Sequence, residues 1–514
     1  MKGQNIKNKV VFLPLDERPC NYKFPFDIFR NSNLNIRRPN KELMGDKKKP
    51  ADFENIKKFL LNESKDADAL IIAIDTLLYG GIIPSRLHCY KKEELLDRIE
   101  VIRKIKTQNP KIIIYAYHLI MRTPQYNSSD EEPDYYEYVG EDIFNLGFLG
   151  HKKELGIINS EELLKFESIK IKEKYLNDFL NRRKINLSLT KKSVEFVNKG
   201  IIDFLIIPQD DAAEFGFTAK DQEEIRIQIR KFNISNSVYM YPGADEVANN
   251  LLARLSNKLL NVQPKIYIKY NSLSAPWTIP SLEDRYLDTT IKYQILACGA
   301  IPSTNMKDAD ILLYVNAPSD KMITAPYQFE LKGRGFTVLR NMVEFIESIK
   351  YALNTLKKPV ILADLAFGNG GDVELLRMLN KENILMDLAA YSGWNTSANS
   401  LGTALAQGLV YANFGKTKEH LNFLVLRYVE DVGYCALVRR KVTENDLTPN
   451  GFNYFDVKES EGLIAEVVRK YLTDFIRKEL TSIKDNISLD KVYMPWRRMY
   501  EVGLEITYKE GMKK

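Results

Sequence analysis

The sequence predicts an α/β protein built around buried parallel strands. Short runs rich in valine and isoleucine recur between segments of helical character, and strands that are buried on both faces of a sheet have this appearance. Strand and helix alternate in this way over roughly the first 400 residues, which is typical of the α/β class. No internal repeat or low-complexity segment interrupts the pattern.

Nine segments are the candidate strands. They cover residues 10–16, 69–75, 111–118, 203–211, 238–246, 265–270, 311–318, 359–368 and 384–394. We expect a (β/α)8-barrel-like catalytic core over residues 1–414. Because nine candidates compete for eight barrel places, the alternative is two doubly wound α/β domains that divide near residue 262.

Two further segments lie outside this regular pattern. Residues 160–198 are charged and mostly helical, and we expect them to be an insertion packed on the outside of the core. Residues 415–514 change in character and predict a carboxyl-terminal α+β cap. Within that cap, residues 423–442 suggest a hairpin and residues 462–480 an amphipathic helix.

Composition excludes several classes of function. The 514 residues are 45% hydrophobic and 28% charged, as in ordinary globular proteins, and the net charge of +6 is mild for this length. Lysines alternate with glutamates and form no long basic run, so we expect no nucleic-acid partner and no membrane partner. The oligomeric state has no signature in the sequence.

Cysteine usage and the amino terminus predict a cytoplasmic location. The four cysteines, Cys20, Cys89, Cys298 and Cys435, are scattered and form no CxxC pair, which is typical of reduced thiols. The first apolar run is only five residues long before Asp16, too short for a signal peptide, and no window reaches transmembrane length. We therefore expect the substrate to be met inside the cell.

Polar side chains follow most of the candidate strands at their carboxyl ends, where active sites form in barrels and in open parallel sheets. The residues that we expect to bind substrate there are Asp16, Arg18, Asp75, Arg86, His118, Trp394 and Asn395. Trp394 would offer an aromatic face to a sugar ring, and Asn395 hydrogen bonds to hydroxyls. The arginines either hold a substrate or pair with the neighbouring aspartates.

Two pairs of acids are the candidate catalytic residues. Asp245 and Glu246 follow a strand that is broken by Pro242 and Gly243, so both carboxyls can reach one site. The structural alternative is that Asp245 only caps the helix that follows.

The second pair, Asp210 and Asp211, also ends a strand. The pair resembles the paired aspartates of other acetamido-sugar hydrolases, and that resemblance implies that one aspartate orients the acetamide while the other is the acid. The pair also suits a divalent cation, or a plain turn. The sequence leaves open which of the two pairs is catalytic.

The stretch from Tyr241 to Val247, YPGADEV, resembles the signature of the β-N-acetylhexosaminidases, except that Tyr241 stands where that family has His or Asn. The resemblance implies substrate-assisted hydrolysis, an exception to the usual two-carboxylate scheme. The 2-acetamido oxygen of the sugar would attack the anomeric carbon, with Asp245 orienting the acetamide. Glu246 would protonate the leaving oxygen and then deprotonate water.

Five longer motifs resemble a bacterial family known as domain of unknown function 4127. They read LPLDERPCN, IDTLLYGGIIPSR, PQDDAAEFGF, YPGADEVANNLLAR and YSGWNTSANSLGTALA, and they span residues 13–406 in order. That family implies no activity by itself, so the functional prediction depends on the acid pairs.

The sequence therefore predicts a glycoside hydrolase that releases a β-linked 2-acetamido sugar, N-acetylgalactosamine or N-acetylglucosamine, without cofactor or metal. The partner would be a small-molecule carbohydrate. The alternative is a Mg²⁺- or Mn²⁺-dependent hydrolase or phosphoryl-transfer enzyme, with an aspartate cluster as oxygen ligands. That cluster would consist of Asp16, Asp75, Asp210, Asp211 and Asp245. A sugar-binding protein without turnover is the third possibility.

Overall fold

The structure is a computed structural model that describes residues 7–331 and 333–510. The chain divides into two compact units. The first unit consists of the residues up to Glu17, Leu34–Leu251 and Leu282–Arg285, and the second consists of Arg18–Asn33, Leu252–Ser281 and the residues from Tyr286 onward.

Fifteen strands are present in the described residues. They are β1 (Asn8–Leu13), β2 (Leu34–Arg37), β3 (Ala69–Ala73), β4 (Ile113–Tyr117), β5 (Phe204–Gln209), β6 (Val238–Pro242), β7 (Lys265–Tyr270), β8 (Ile301–Ser303), β9 (Ile311–Asn316), β10 (Ile323–Thr324), β11 (Val360–Asp364), β12 (Phe367–Gly368), β13 (Ala390–Ser392), β14 (Ile487–Tyr493) and β15 (Gly503–Tyr508). Each of the nine candidate segments overlaps at least one of them.

Nineteen α-helices accompany these strands within the described ranges. They are α1 (Pro19–Tyr22), α2 (Phe24–Phe29), α3 (Phe53–Glu63), α4 (Ile74–Tyr79), α5 (Pro84–Leu87), α6 (Lys92–Gln108), α7 (Tyr136–Glu154), α8 (Ser160–Ser168), α9 (Glu173–Asn198), α10 (Phe217–Phe232), α11 (Val247–Leu260), α12 (Leu287–Ala297), α13 (Arg334–Thr337), α14 (Met342–Tyr351), α15 (Val373–Lys381), α16 (Ser397–Phe414), α17 (Lys418–Arg427), α18 (Arg439–Asn445) and α19 (Leu463–Glu479). Two π-helices cover Ala352–Leu356 and Tyr428–Val438. Short 3-10 helices cover Lys41–Met44, Ala275–Trp277, Ala325–Tyr327, Leu385–Asp387, Thr448–Asn450, Lys484–Asn486 and Pro495–Arg497.

The first unit is built on a six-stranded parallel sheet with the order β2-β1-β3-β4-β5-β6. Every residue of β3 and of β5 is buried, as expected for parallel strands covered on both faces. The chain progresses outward from β1 to β2 and then in the opposite direction from β3 to β6. The strand order therefore reverses between β1 and β3.

The second unit contains a five-stranded parallel sheet with the order β13-β11-β9-β7-β8. Here the order reverses between β7 and β9. A parallel pair of β10 and β12 and an antiparallel hairpin of β14 and β15 complete its strands in the described part of the chain. The predicted α/β class with parallel sheets is confirmed, whereas a closed barrel is not shown.

The helical segment 160–198 differs from the expected external insertion. Helix α8 buries no residue, in keeping with that expectation. Helix α9, however, the last helix before β5, buries Phe179, Leu189 and Val194. This second helix is therefore part of the core of the first unit, because its apolar face is covered along most of its length.

The hairpin predicted for residues 423–442 is wrong. The segment is helical throughout, from α17 through the π-helix to α18. Buried Arg427 forms ion pairs with Glu430 and Asp431, three and four residues further on, which is a helical spacing. The hairpin of the carboxyl-terminal region is instead β14–β15, and the amphipathic helix predicted at 462–480 is confirmed as α19.

Candidate active site

The predicted site residues are divided between the two units. Those in the first unit are Asp16, Asp75, Arg86, His118, Asp210, Asp211, Asp245 and Glu246, and those in the second are Arg18, Trp394 and Asn395. Both acid pairs belong to the first unit, where they follow the neighbouring strands β5 and β6.

The chain turns sharply between β6 and α11, and this turn carries the acid pair of Asp245 and Glu246. Strand β6 ends at Pro242, and Gly243 adopts a φ of +141°, which side-chain-bearing residues rarely reach. The turn lets the Glu246 carboxylate fold back, so that Oε2 accepts the N–H of Ala244 at 2.9 Å. Glu246 is fully buried and Asp245 is 5% exposed.

Burial controls the protonation of Glu246. Its removal from water raises the pKa of this carboxyl to about 8, although the backbone N–H groups of Glu246 and Ala244 favour the charged form. The charges of Asp245 and Glu283 raise the pKa further. Glu246 is thus predominantly protonated at neutral pH, as a general acid must be.

The segment Leu282–Arg285 belongs to the first unit and packs on the ends of β5 and β6. Arg285 donates from Nη1 to the carbonyl of Met240 at 2.9 Å and from Nη2 to Oε1 of Gln209 at 3.0 Å. These bonds place Glu283, which is 6% exposed, close enough to act on Glu246 electrostatically. The sequence patterns gave no signal for Glu283, because it lies far along the chain from the acid pair.

Tyr241, at the position where the β-N-acetylhexosaminidase signature has His or Asn, has a structural partner. Its hydroxyl accepts a hydrogen bond from Nδ2 of Asn250 on α11 at 3.2 Å. Tyr241 is fully buried, so this bond ties the end of β6 to the helix that follows the acids.

The second acid pair lies in a cluster of ion pairs, which we call the arginine cluster. Its members are Arg86, Arg122, Glu131, Glu132, Asp210 and Asp211. Arg86 donates from Nη2 to Oδ2 of Asp210 at 2.7 Å, and Arg122 donates from Nη1 to Oδ2 of Asp211 at 2.8 Å. Of the two roles left open for Arg86, pairing with an aspartate is the one observed.

Two glutamates bridge the arginines. Glu131 accepts from Arg86 at 2.8 Å and from Arg122 at 2.9 Å. Glu132, which is 1% exposed, accepts from the same two side chains at 3.3 and 2.8 Å. Both glutamates lie in the polar loop between β4 and α7, a stretch with no strand-end signal in the sequence.

The arginine cluster contains four carboxyls and only two guanidiniums. Burial raises the pKa of Asp211 to about 6, with Arg122 opposing the rise and the charge of Asp210 adding to it. Asp211 also has a φ of +43°, an uncommon value for a residue other than glycine. The cluster can therefore take up a proton under mildly acidic conditions.

Asp16 and Asp75 follow β1 and β3, the two strands between which the order of the first sheet reverses. Asp16 is 3% exposed. Asp75 lies in the first turn of α4, and its Oδ2 accepts the N–H of Leu119 at 2.9 Å. Burial raises its pKa to about 7. Thr76 fixes the turn by donating to the carbonyl of Leu15 at 2.8 Å.

His118 is fully buried at the end of β4. Its Nδ1 lies 2.9 Å from the Ser193 hydroxyl, and its ring centroid lies 6.4 Å from that of Tyr79. Burial lowers the pKa of His118 to about 3, so the imidazole is neutral at physiological pH. A substrate contact by His118 stays a prediction.

In the second unit, Arg18 and Trp394 are packed side chains. The Arg18 guanidinium lies 4.5 Å from the centre of the Trp496 ring and 3.9 Å from Oε1 of Glu501. Trp394 is 6% exposed, and its ring meets Phe24 edge to face at 6.1 Å. A stacking platform requires an open ring face, and little of the Trp394 ring is open.

Asn395 is held by the carboxyl-terminal region of the second unit. Its Oδ1 accepts from the Tyr500 hydroxyl at 2.9 Å, and its carbonyl accepts the N–H of Asn369 at 3.1 Å. The side chain is 7% exposed. Roles of Arg18, Trp394 and Asn395 in substrate binding stay predictions.

A second group of polar residues lies at the carboxyl ends of the strands of the second sheet. Asn316 at the end of β9 donates to Asp364 at the end of β11 at 2.8 Å, and Tyr391 on β13 donates to the same carboxylate at 2.6 Å. Arg340 forms a 2.8 Å ion pair with Asp372, and both of these side chains are fully buried. The polar side chains of this network are bonded to one another, so the network stabilises the carboxyl ends of these strands.

Residues 7–331 and 333–510 contain neither a clustered set of metal-ligating side chains nor a membrane-spanning helix. No group of three or more His, Cys, Asp or Glu side chains is arranged there to hold a metal ion. None of the helices described has the length and apolar character needed to cross a membrane. A cytoplasmic location stays a prediction.

Comparison with known proteins identifies a family. The chain has no match among curated proteins, and the local likeness to β-N-acetylhexosaminidases stays a prediction. A family model described as Protein of unknown function (DUF4127) matches residues 10–505, nearly the whole chain. The protein therefore belongs to the DUF4127 family, as the five sequence motifs predicted.

Proposed function

We propose that this protein is a glycoside hydrolase that releases a β-linked 2-acetamido sugar by substrate-assisted retaining catalysis. The observation that carries the proposal is the carboxyl of Glu246, buried at the end of β6 with its pKa raised to about 8 and with Asp245 beside it. Glycosidases commonly use a buried, protonated carboxylic acid together with a second carboxyl close to it.

The two acids would have different roles. Protonated Glu246 would donate its proton to the glycosidic oxygen as the bond to the anomeric carbon breaks. Asp245 would accept a hydrogen bond from the acetamide N–H, which makes the acetamide oxygen a better nucleophile toward that carbon. Glu246, now a carboxylate, would then deprotonate the water that opens the cyclic intermediate, so the proton returns to the enzyme.

The arginine cluster supports a separate role for Asp210 and Asp211. Both carboxylates are already bonded to guanidiniums, and the pKa of Asp211 is raised only to about 6, against about 8 for Glu246. A general acid must hold its proton at neutral pH, so we assign the acid to Glu246 and infer that Asp210 and Asp211 shape the neighbouring wall of the site.

The strand order of the first sheet reverses between β1 and β3. This reversal supports a ligand site at the carboxyl ends of the strands, where both acid pairs also lie. We infer from the two strand orders that each unit is doubly wound, and ligands of such sheets bind outside the carboxyl ends of the strands at the reversal. Asp16 and Asp75 occupy that place in the first unit. In the alternative function, a metal-dependent hydrolase or phosphoryl-transfer enzyme, these two aspartates would be the main ligands of the metal ion.

The proposal is tested by turnover of nitrophenyl β-N-acetylgalactosaminide and β-N-acetylglucosaminide. We expect hydrolysis by the wild type, none of the matching glycosides that carry a 2-hydroxyl group, and a large loss in Glu246→Gln. The proposal is overturned if the wild type hydrolyses neither acetamido substrate, or if Glu246→Gln keeps full activity. Activity that is lost with a chelator and restored by Mg²⁺ or Mn²⁺ would favour the alternative.

A further inference from the structure

Trp277 is an exposed tryptophan in the second unit. All three tryptophans lie in the described part of the chain, and Trp277 is 69% exposed whereas Trp394 and Trp496 are each 6% exposed. Tyr286, which is 48% exposed, meets Trp277 edge to face with ring centres 5.6 Å apart and planes at 80°. Two adjoining aromatic side chains are thus left in contact with water.

The backbone that carries Trp277 is fixed by hydrogen bonds. Within the loop, the N–H of Trp277 donates to Ser274 at 3.0 Å and the N–H of Leu287 donates to Thr278 at 2.9 Å. The loop is also joined to the segment after β9, since the Ser274 hydroxyl donates to the carbonyl of Ser319 at 2.9 Å. The aromatic pair is therefore held in place before any ligand arrives, which lowers the entropic cost of binding.

The position and charge of the loop indicate the kind of ligand. It follows the carboxyl end of β7, one of the two strands between which the order of the second sheet reverses, and ligands of parallel sheets bind at such an edge. Residues 271–281, NSLSAPWTIPS, contain four hydroxyl side chains and no charged residue. An uncharged aromatic surface suits a neutral pyranose ring, whereas nucleic acid would require basic residues.

We propose that Trp277 and Tyr286 form a glycan-binding platform that stacks on a neutral sugar ring of an oligosaccharide. This inference deepens the proposed function and rests on it for the choice of sugar. The platform occupies the role that the sequence assigned to Trp394, which is packed in the interior.

Tryptophan fluorescence gives a direct test, because Trp277 is the exposed emitter. The probes are a β-linked tetramer of N-acetylglucosamine and methyl β-N-acetylgalactosaminide, added to Glu246→Gln protein so that they are not cleaved. We expect a saturable blue shift or quenching that is absent in Glu246→Gln/Trp277→Phe. By calorimetry, replacing Trp277 with Ala in the same background should weaken binding about tenfold.

The matched control is Tyr351→Ala, which removes another exposed aromatic side chain of the second unit and should leave sugar affinity unchanged. The platform is refuted if neither probe changes the emission at millimolar concentration, or if Trp277→Ala binds as tightly as its parent. It is also refuted if sedimentation shows a dimer that Trp277→Ala dissociates, since the surface would then bind a second copy. Binding does not depend on turnover, so this test can fail while the glycosidase assay succeeds, and the reverse.

Discussion

The Glu246 carboxylate lies in the space that Gly243 leaves by having no side chain. A Cβ built on Gly243 would overlap Oε1 of Glu246, and the φ of +141° at Gly243 is one that an L-residue avoids. The glycine therefore does two things at the end of β6. It reverses the backbone, and it admits the folded-back carboxyl that the proposed mechanism uses as its acid.

Gly243→Ala should consequently lower activity strongly while the protein still folds. The new methyl group would force the Glu246 carboxyl out of its position, and positioning errors of this kind cost catalysis heavily. Kinetics should show a fall in kcat of about a hundredfold or more. Circular dichroism would verify the fold.

Gly200→Ala is the matched control for that change. Gly200 also has a positive φ, of +67°, but a Cβ there would meet nothing within 4 Å. This variant should lose about 1 kcal/mol of stability from backbone strain and keep its activity. If both glycine variants lose activity equally, the contact with Glu246 is not the reason.

Glu246→Gln should become more stable relative to the wild type as the pH rises from 5 to 9. The pKa of Glu246 is raised to about 8 in the folded state, above the value near 4.5 in the unfolded chain. Between these values the folded state binds the extra proton, so its stability falls with rising pH. The uncharged glutamine lacks that dependence, and by pH 9 the difference should be on the order of a few kcal/mol.

Urea unfolding at several pH values measures this difference. Glu382→Gln serves as the comparison, because the Lys350 ammonium lowers the pKa of Glu382 by hydrogen bonding. Its stabilisation is already complete at pH 6, so the gap between Glu382→Gln and the wild type should stay constant up to pH 9. A constant gap for Glu246→Gln as well would show that Glu246 titrates normally.

Arg122→Gln should destabilise the first unit strongly. Arg122 is bonded to Glu131, Glu132 and Asp211, and removing it takes the guanidinium from Asp211 and leaves the two glutamates with Arg86 alone. Breaking a buried ion pair from one side costs about 3–5 kcal/mol. Chemical denaturation measures the loss, and Lys220→Gln, which breaks an exposed pair with Glu154, should change stability little.

Tyr391→Phe should cost more stability at pH 7.5 than at pH 5. The Tyr391 hydroxyl donates to Asp364 at 2.6 Å, and burial together with the charge of Asp372 raises the pKa of Asp364 to about 6. Above that pKa the bond is to a carboxylate and is worth about 1.5–3 kcal/mol, whereas below it the bond is neutral and worth about 1 kcal/mol.

Tyr428→Phe is the control for Tyr391→Phe. It removes an equally buried hydroxyl that donates to the carbonyl of Leu385 at 2.7 Å, an acceptor that does not titrate. Its cost should be about 1 kcal/mol at both pH values. Equal pH behaviour of the two variants would contradict a charged Asp364 at neutral pH.

The strands of both sheets were largely predictable from the sequence, because parallel strands buried on both faces are runs of apolar residues. The short edge strands β2 and β8 escaped, since Leu34–Arg37 alternates between buried and accessible residues and Ile301–Ser303 is only three residues long. The segment around Tyr428 was misassigned for a related reason. A helix buried on all sides carries the same unbroken apolar run as a strand, and only the spacing of Arg427 and Asp431 distinguishes the two.

The residues of the candidate site were predictable only where they lie close together in the sequence. Asp245 and Glu246 stand next to each other after a strand that proline and glycine terminate, so the sequence alone indicated them. Glu283 reaches the acids through tertiary packing, and Glu131 and Glu132 reach Arg86 from a separate loop. Contacts between residues that are distant in the chain have no periodic signature, and for the same reason the sequence could not decide between a sugar-binding and a packed Trp394.

The most direct test of the account is the leaving-group dependence of Glu246→Gln on β-N-acetylhexosaminides. Without the acid, aglycones that leave poorly need the missing proton, whereas a dinitrophenyl aglycone leaves without it. We therefore predict that kcat/KM, which reports the bond-breaking step, falls in Glu246→Gln by about a hundredfold or more on methylumbelliferyl substrates and far less on dinitrophenyl substrates. An equal loss on both substrates, or no loss on either, would contradict the assignment of Glu246 as the general acid.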